Sequence, residues 1–219
     1  EEISSGRTQR EAPRSARVWS PPSAILAGSL PAGYPPITVV TSNDPDTGAV
    51  FLTPFTLTFR LDRGRLTIVD HRGLPLFFRS TPGLVLDFKR QPGGLLTYFT
   101  LPATYIAMDS GYTVVDSFKT GNGYEADEHD LQLLPNGHAL LMAYDPQPVA
   151  MDAIVPGGDP NAQVLGLIIQ EIDAAKNVVF QWRSWDHFQI TDMIECTGLL
   201  TAPLIDYVHG NAIELDTDG

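Results

Sequence analysis

An all-β fold of the β-propeller kind is what these 219 residues predict, and three observations predict it. Apolar strands paired through short polar turns recur along the chain. Two of these hairpins align without gaps, placing Gly94 on Gly137 at a spacing of 43 residues. No segment carries a long helical periodicity. Four strands in roughly 40 to 45 residues is the period of a propeller blade. The length holds about three to four blades, fewer than a closed ring usually takes, and the last apolar segment has no return strand. The expectation is therefore a partial propeller that continues beyond Gly219, with an extended arm over 1–20, a β-rich segment over 21–60 and blades over 61–219.

The strands follow in order. "TIVDHRGLPLFFR" (67–79), "IAMDSGYTVVDSF" (106–118) and "QEIDAAKNVVFQW" (170–182) share one form: strand, Asp, short turn, strand. Asp70, Asp109 and Asp173 mark the turns, where a carboxylate can accept from nearby backbone N–H groups. "LDFKRQPGGLLTYF" (86–99) matches "HDLQLLPNGHALLMAY" from His129, and "HGNAIELDTDG" begins a third copy from His209. Residues 37–55 read as a further hairpin turning at Asn43–Gly48. The four prolines of 145–163 read as a loop breaking a blade. Residues 186–205 read as a second interruption with a short helix around Thr191–Cys196.

Composition narrows the function. A net charge of −12 argues against nucleic acid and anionic membranes as partners. No apolar run approaches the roughly 18 to 20 residues that span a bilayer. Cys196 is the one cysteine, so no intrachain disulfide or cysteine-rich zinc site is expected. The G-x-S-x-G and phosphate-loop motifs are missing.

The repeat supplies an internal control for function. Where the copy from His129 carries His129 and Asp130, the earlier copy carries Leu86 and Asp87. The aspartate is therefore architectural and the histidine is added. A second histidine, His209, heads the next copy, and successive inner strands of a propeller line one channel, so the two can converge. Histidine exchanges protons near neutral pH and can stabilise charge developing on oxygen. Asn211, two residues on, would face the same side of a strand as His209. His71 and His138 sit at turns and read as solvated, His187 lies among aromatics, and Arg183 beside Trp182 could meet an anion. Asp127, His129 and His209 could together ligate a transition metal, but no motif supports that. No metal and no cofactor are expected.

At these residues the chain resembles the bacterial arylsulfotransferases, which move sulfate between phenols without a nucleotide donor. The likeness rests on "DEHDLQLLPNGHALL", "LGLIIQEIDAAKNVVFQWRSWDHF" and "IDYVHGNAIELDTDG", and reaches back through "TIVDHRGLPLFFR" to about residue 35. The resemblance implies a six-bladed propeller, export to the periplasm or beyond, and sulfuryl transfer from an aryl sulfate to a phenol through a sulfated histidine. It assigns catalytic roles to His129 and His209 and substrate binding to Asn211. It places the sulfated histidine and a catalytic arginine further on than Gly219, so these residues would form only part of a site. The remaining blades, or another copy of the chain, would be the protein partner. The competing expectation is a non-catalytic extracellular propeller that binds a ligand or serves in assembly.

Overall fold

The computed structural model describes residues 30–55, 63–193 and 197–216. The expected arm at 1–20, Cys196 and residues 217–219 lie outside them. Among the described residues the fold is all-β, with short 3₁₀ turns and no α-helix. No helix there is long and apolar enough to cross a membrane.

Five hairpin turns share one geometry. In each, the first residue's carbonyl accepts from the N–H three positions on and its N–H reaches the carbonyl four positions on. The pairs begin at Asp70, Gln91, Asp109, Leu134 and Asp173. The fourth residue takes a positive φ: Gly73, Gly94, Tyr112, Gly137 and Lys176. This is the three-residue hairpin with a left-handed closing residue. Asp70 Oδ1 accepts from the N–H groups of Arg72 and Leu74 at 2.9 Å each, and Asp109 Oδ1 does the same with Gly111 and Thr113. The Asn177 N–H and side chain hold the Asp173 carboxyl below its ordinary range. Short polar side chains thus fix the turns, and the turns fix strand register.

The hairpins assemble into three antiparallel sheets. The first holds β1 (Val50–Leu52), β2 (Arg63–Val69) and β3 (Pro75–Pro82). The second is a four-stranded meander of β4 (Val85–Arg90), β5 (Leu96–Thr100), β6 (Thr104–Met108) and β7 (Val114–Phe118). The third is a meander of β8 (Ala126–Leu133), β9 (Ala139–Val149), β10 (Ala162–Ile172) and β11 (Val178–Arg183). In this sheet β12 (Leu204–Asp206) lies parallel to β10, alongside residues that β11 leaves free.

The sheets stack in chain order. Leu66 and Ile68 of the first bury against Val85, Phe88, Leu96, Tyr98 and Met108 of the second. On the other side of the second sheet, Phe99, Tyr105, Ala107 and Phe118 bury against Leu131, Leu141 and Ile172 of the third. A third cluster, with Met151, Val164, Leu200, Ile205 and Tyr207, covers the far end of the third sheet. Alternation sends successive side chains of one strand to opposite faces, so β5 can serve two interfaces, with Tyr98 on one and Phe99 on the other.

Aspartates clasp the first strands of neighbouring sheets. Asp87 on β4 accepts from the Leu131 N–H of β8, and Asp130 on β8 accepts from the Ile213 N–H at 2.8 Å. Lys89 lies between them, 2.8 Å from Asp87 and in contact with Asp130. Burial acts first to raise Asp130, yet the Ile213 N–H, Lys89 and Gln132 outweigh it and hold the carboxyl low. At Asp87 burial wins, opposed by Lys89 and reinforced by Asp130, and the carboxyl is pushed up to about 6. Above the unfolded value of 3.8 the folded state keeps a proton that the unfolded chain releases. Asp87 therefore weakens the fold as pH rises from about 4 to about 6. Asp87→Asn should remove that slope, on the order of 2 kcal/mol across the window. Urea melts at several pH values check it, and parallel curves for variant and wild type would contradict it.

Three local expectations need correction, and a fourth, the short helix, holds in part. Residues 37–49 form no strand, and β1 pairs with β2 instead of with an earlier arm. Ile37 and Val39 lie over the turn at Gly73. The proline-rich stretch is not all loop, because β9 runs through Pro146 and Pro148 to Val149 against β10. Its ladder with β8 has ended at Ala143, so both prolines, two apart on one edge, need no N–H there. Around Thr191 the chain forms a 3₁₀ turn at Ile190–Asp192, while 194–196 lie outside the described residues. Finally, 209–216 belong to no strand, since no described segment pairs with them, and β12 just before them was not foreseen.

Candidate functional site

The site begins with an irregularity in β8. Between the pairs Ala126–Ala143 and Leu131–Leu141, five steps along β8 face two along β9. At the corresponding place β4 takes three steps against two of β5, between Leu86–Phe99 and Lys89–Thr97. The four residues of β8 between those pairs swell out of the ladder as a bulge, a device that re-aims side chains. They are Asp127, Glu128, His129 and Asp130. Asp130 holds the bulge to Lys89 and to the 209–213 segment, as described above.

His209 arrives from the other side. Ile205 and Tyr207 anchor its approach in the core, Tyr207 bonding Ser184 at 2.9 Å. Gly210 lies so close to Met142 and Leu167 that a Cβ there would meet their side chains at 2.8 and 2.6 Å. Its N–H donates to the Tyr144 hydroxyl at 3.0 Å. Glycine is thus what lets the backbone press against β9 and β10 and set His209 beside Tyr144.

The two rings meet. His129 and His209, eighty residues apart in sequence, have centroids 5.6 Å apart at 78°, edge to face. Each is steered by a carboxylate. His129 Nδ1 lies 2.7 Å from Asp127 Oδ1, which also accepts the His129 N–H at 3.0 Å. His209 Nδ1 lies 2.5 Å from Asp206 Oδ2 and 3.2 Å from the Tyr144 hydroxyl. A carboxylate partner makes Nδ1 the donor, which leaves Nε2 of each ring for chemistry. The side chains of His129 and His209 are 34% and 51% exposed, so both can reach a solute.

Charge around the pair is negative. Burial pushes the Tyr144 hydroxyl up to about 12, opposed by the Gly210 N–H and helped by Asp206, Asp127 and Glu128. It stays a neutral hydroxyl in ordinary buffers. Asp127, Glu128 and His129 present ligand atoms within 4.8 Å of one another and could hold a metal ion. This grouping differs from the Asp127–His129–His209 set considered from sequence. A cleft of about 560 Å³ opens beside the pair and shares Asp127, Glu128 and Tyr144 with its surroundings.

Other expected residues lie apart. Asn211 is exposed, lies in no strand, and its side chain makes no hydrogen bond among the described residues. His71 is exposed at its turn. His138 is not free: its Nδ1 lies 2.6 Å from Glu171. His187 stacks on Trp182 at 5.1 Å. Arg183 is engaged by Asp145 at 3.0 Å and Asp186 at 3.6 Å. The orienting role of Asp206, and Tyr144 altogether, escaped the sequence reading. A D-x-H and a D-x-x-H spacing could have pointed to the carboxylates, whereas nothing in the sequence marks Tyr144. No protein-family model matches the chain, and a search of curated proteins finds no match.

Proposed function

We infer that the chain carries part of an arylsulfotransferase-like site, in which His129 and His209 act on a sulfuryl group passing between phenols. The observation behind this reading is the facing pair of carboxylate-steered imidazoles, joined to the sequence resemblance. In the first half-reaction the donor's aryl O–S bond breaks, the sulfuryl group forms an S–N bond to a histidine, and the phenol leaves with a proton. In the second, the S–N bond breaks with its electron pair returning to the histidine, the acceptor phenol's oxygen forms the new O–S bond, and the phenol gives up its proton. A protonated His129, supported by Asp127, would donate from Nε2 to the sulfuryl oxygens. His209, supported by Asp206, would pass the phenol proton at its Nε2. Nucleophilic catalysis also needs the histidine that is sulfated, and neither member of the pair is assigned that role.

The same reading makes the stacked sheets successive propeller blades. Two four-stranded meanders packed in chain order, with their first strands clasped by Asp87 and Asp130, support it. Export to the periplasm or beyond belongs to the same proposal.

The test is an assay on the complete gene product with 4-nitrophenyl sulfate as donor and phenol as acceptor. Formation of phenyl sulfate together with 4-nitrophenol is expected. No turnover, or release of inorganic sulfate alone, would remove the reading in favour of a binding module.

A further inference from the structure

We propose that Tyr144 is a positioning residue for His209, its hydroxyl oxygen holding the imidazole with the proton on Nδ1 and with Nε2 bare. The use made of the bare nitrogen rests on the sulfuryl-transfer reading, in which the phenol proton passes there; the hold on the ring stands on contacts alone. Tyr144 follows Ala143, the last residue of β9 to pair with β8, and its backbone is in register with Leu167 of β10. The hydroxyl therefore comes from a laddered strand. It meets a segment that belongs to no strand: the Gly210 N–H donates to it at 3.0 Å, and His209 Nδ1 lies 3.2 Å away. Gly210 is buried, so its N–H needs that acceptor. One oxygen thus ties down both the ring and the backbone beside it.

Counting protons gives each bond its direction. His209 Nδ1 lies 2.5 Å from Asp206 Oδ2. A bare Nδ1 there would set a lone pair against a carboxylate, so Nδ1 carries the proton. A protonated nitrogen cannot accept from Tyr144. The tyrosine oxygen is therefore an acceptor toward the ring as well as toward Gly210, using both lone pairs. Its own proton turns to the Gly210 carbonyl, a long contact of 3.5 Å. Asp206 is not a sufficient holder. Its Oδ1 is buried without a hydrogen-bond partner among the described residues, so that oxygen does nothing to fix the carboxylate. A single contact at Nδ1 lets the ring swing about it, and a second contact from another strand sets its plane. Tyr144 does not take the phenol's proton itself, because burial pushes its hydroxyl up to about 12 and keeps it neutral.

Tyr144→Phe removes that oxygen and keeps the aromatic ring, whose centroid lies 6.2 Å from that of His209. At about pH 9, where an ordinary imidazole is neutral, the ring nitrogen shifts of His209 in the wild-type chain should place the proton on Nδ1. The variant should show a mixture of tautomers and a weaker NOE between His129 and His209, with that between His187 and Trp182 unchanged. In the complete gene product it should lower kcat for transfer from 4-nitrophenyl sulfate to phenol about tenfold, with KM within about twofold. Tyr34→Phe, which drops a hydroxyl bond to the Gly73 carbonyl beside the first sheet, should change neither readout. A wild-type ring protonated on Nε2 overturns the proposal, because Tyr144 would then donate to it. A folded Tyr144→Phe chain that keeps the tautomer, the NOE and kcat overturns it as well. The tautomer change without any transfer by the wild-type gene product would uphold the hold on the ring and sink the sulfuryl-transfer reading. Transfer that is lost in His209→Ala but untouched in Tyr144→Phe would do the reverse.

Discussion

Replacing His209 with alanine in the complete gene product should lower phenol-to-phenol sulfate transfer by about 10²- to 10⁴-fold, the span of a lost general acid–base. His129→Ala should cost about 10²- to 10³-fold, the span of a lost donor to developing charge. Both losses should fall mainly on kcat, since a donor aimed at the transferring group acts most strongly on the transition state. The double variant should be little worse than the weaker single variant, because both rings act on one group and their effects do not add. The structural warrant is the 5.6 Å separation of the rings, each with its Nδ1 occupied by a carboxylate. His138 provides the control: it pairs with Glu171 at the far end of the β8–β9 hairpin, and His138→Gln should leave the rate within about threefold. Rates near wild type for both histidine variants would remove the role assignments.

The second large effect concerns the frame that brings the rings together. Asp130→Ala should destabilise the chain by about 2–4 kcal/mol, because it leaves a backbone donor without its acceptor and strips a partly buried cation of one of its two carboxylates. The residues affected are Lys89, which keeps only Asp87, and Ile213, whose N–H loses its acceptor. At this chain length each kcal/mol corresponds to about 2–4 °C in Tm, so a thermal scan resolves the change easily. Asp130→Asn, which keeps an acceptor for Ile213 but drops the charge, should cost less. A loss below about 0.5 kcal/mol for the alanine variant would mean that the clasp contributes nothing. Since Asp130 closes the bulge that carries His129 and holds the segment that carries His209, the alanine variant should also separate the rings.

Much of this was legible in the chain. The turns at Asp70, Asp109 and Asp173 were readable because a short acceptor at the start of a three-residue hairpin can hold its N–H groups and the turn closes on a left-handed residue. Gly73, Gly94 and Gly137 announce that position, while Tyr112 and Lys176 fill it without glycine's help. The contrast of Leu86 with His129, against the match of Asp87 with Asp130, separated the added group from the frame. What stayed hidden was long-range. Nothing local told that β8 holds surplus residues relative to β9, because a bulge is a property of register and not of composition. Pro146 and Pro148 suggested a loop because proline is excluded from central ladders, yet an edge past the end of β8 tolerates both. Val39 and Val40 carry strand propensity but have no pairing partner among the described residues, so propensity alone misled there.

The most direct test is an NOE measurement on the 219-residue chain with labelled histidine rings. The account predicts a cross-peak between the ring protons of His129 and His209, as strong as that between His187 and Trp182, whose rings lie at a similar separation of 5.1 Å. The His187–Trp182 peak appearing without the other would contradict it, for two imidazoles that never meet cannot act on one sulfuryl group.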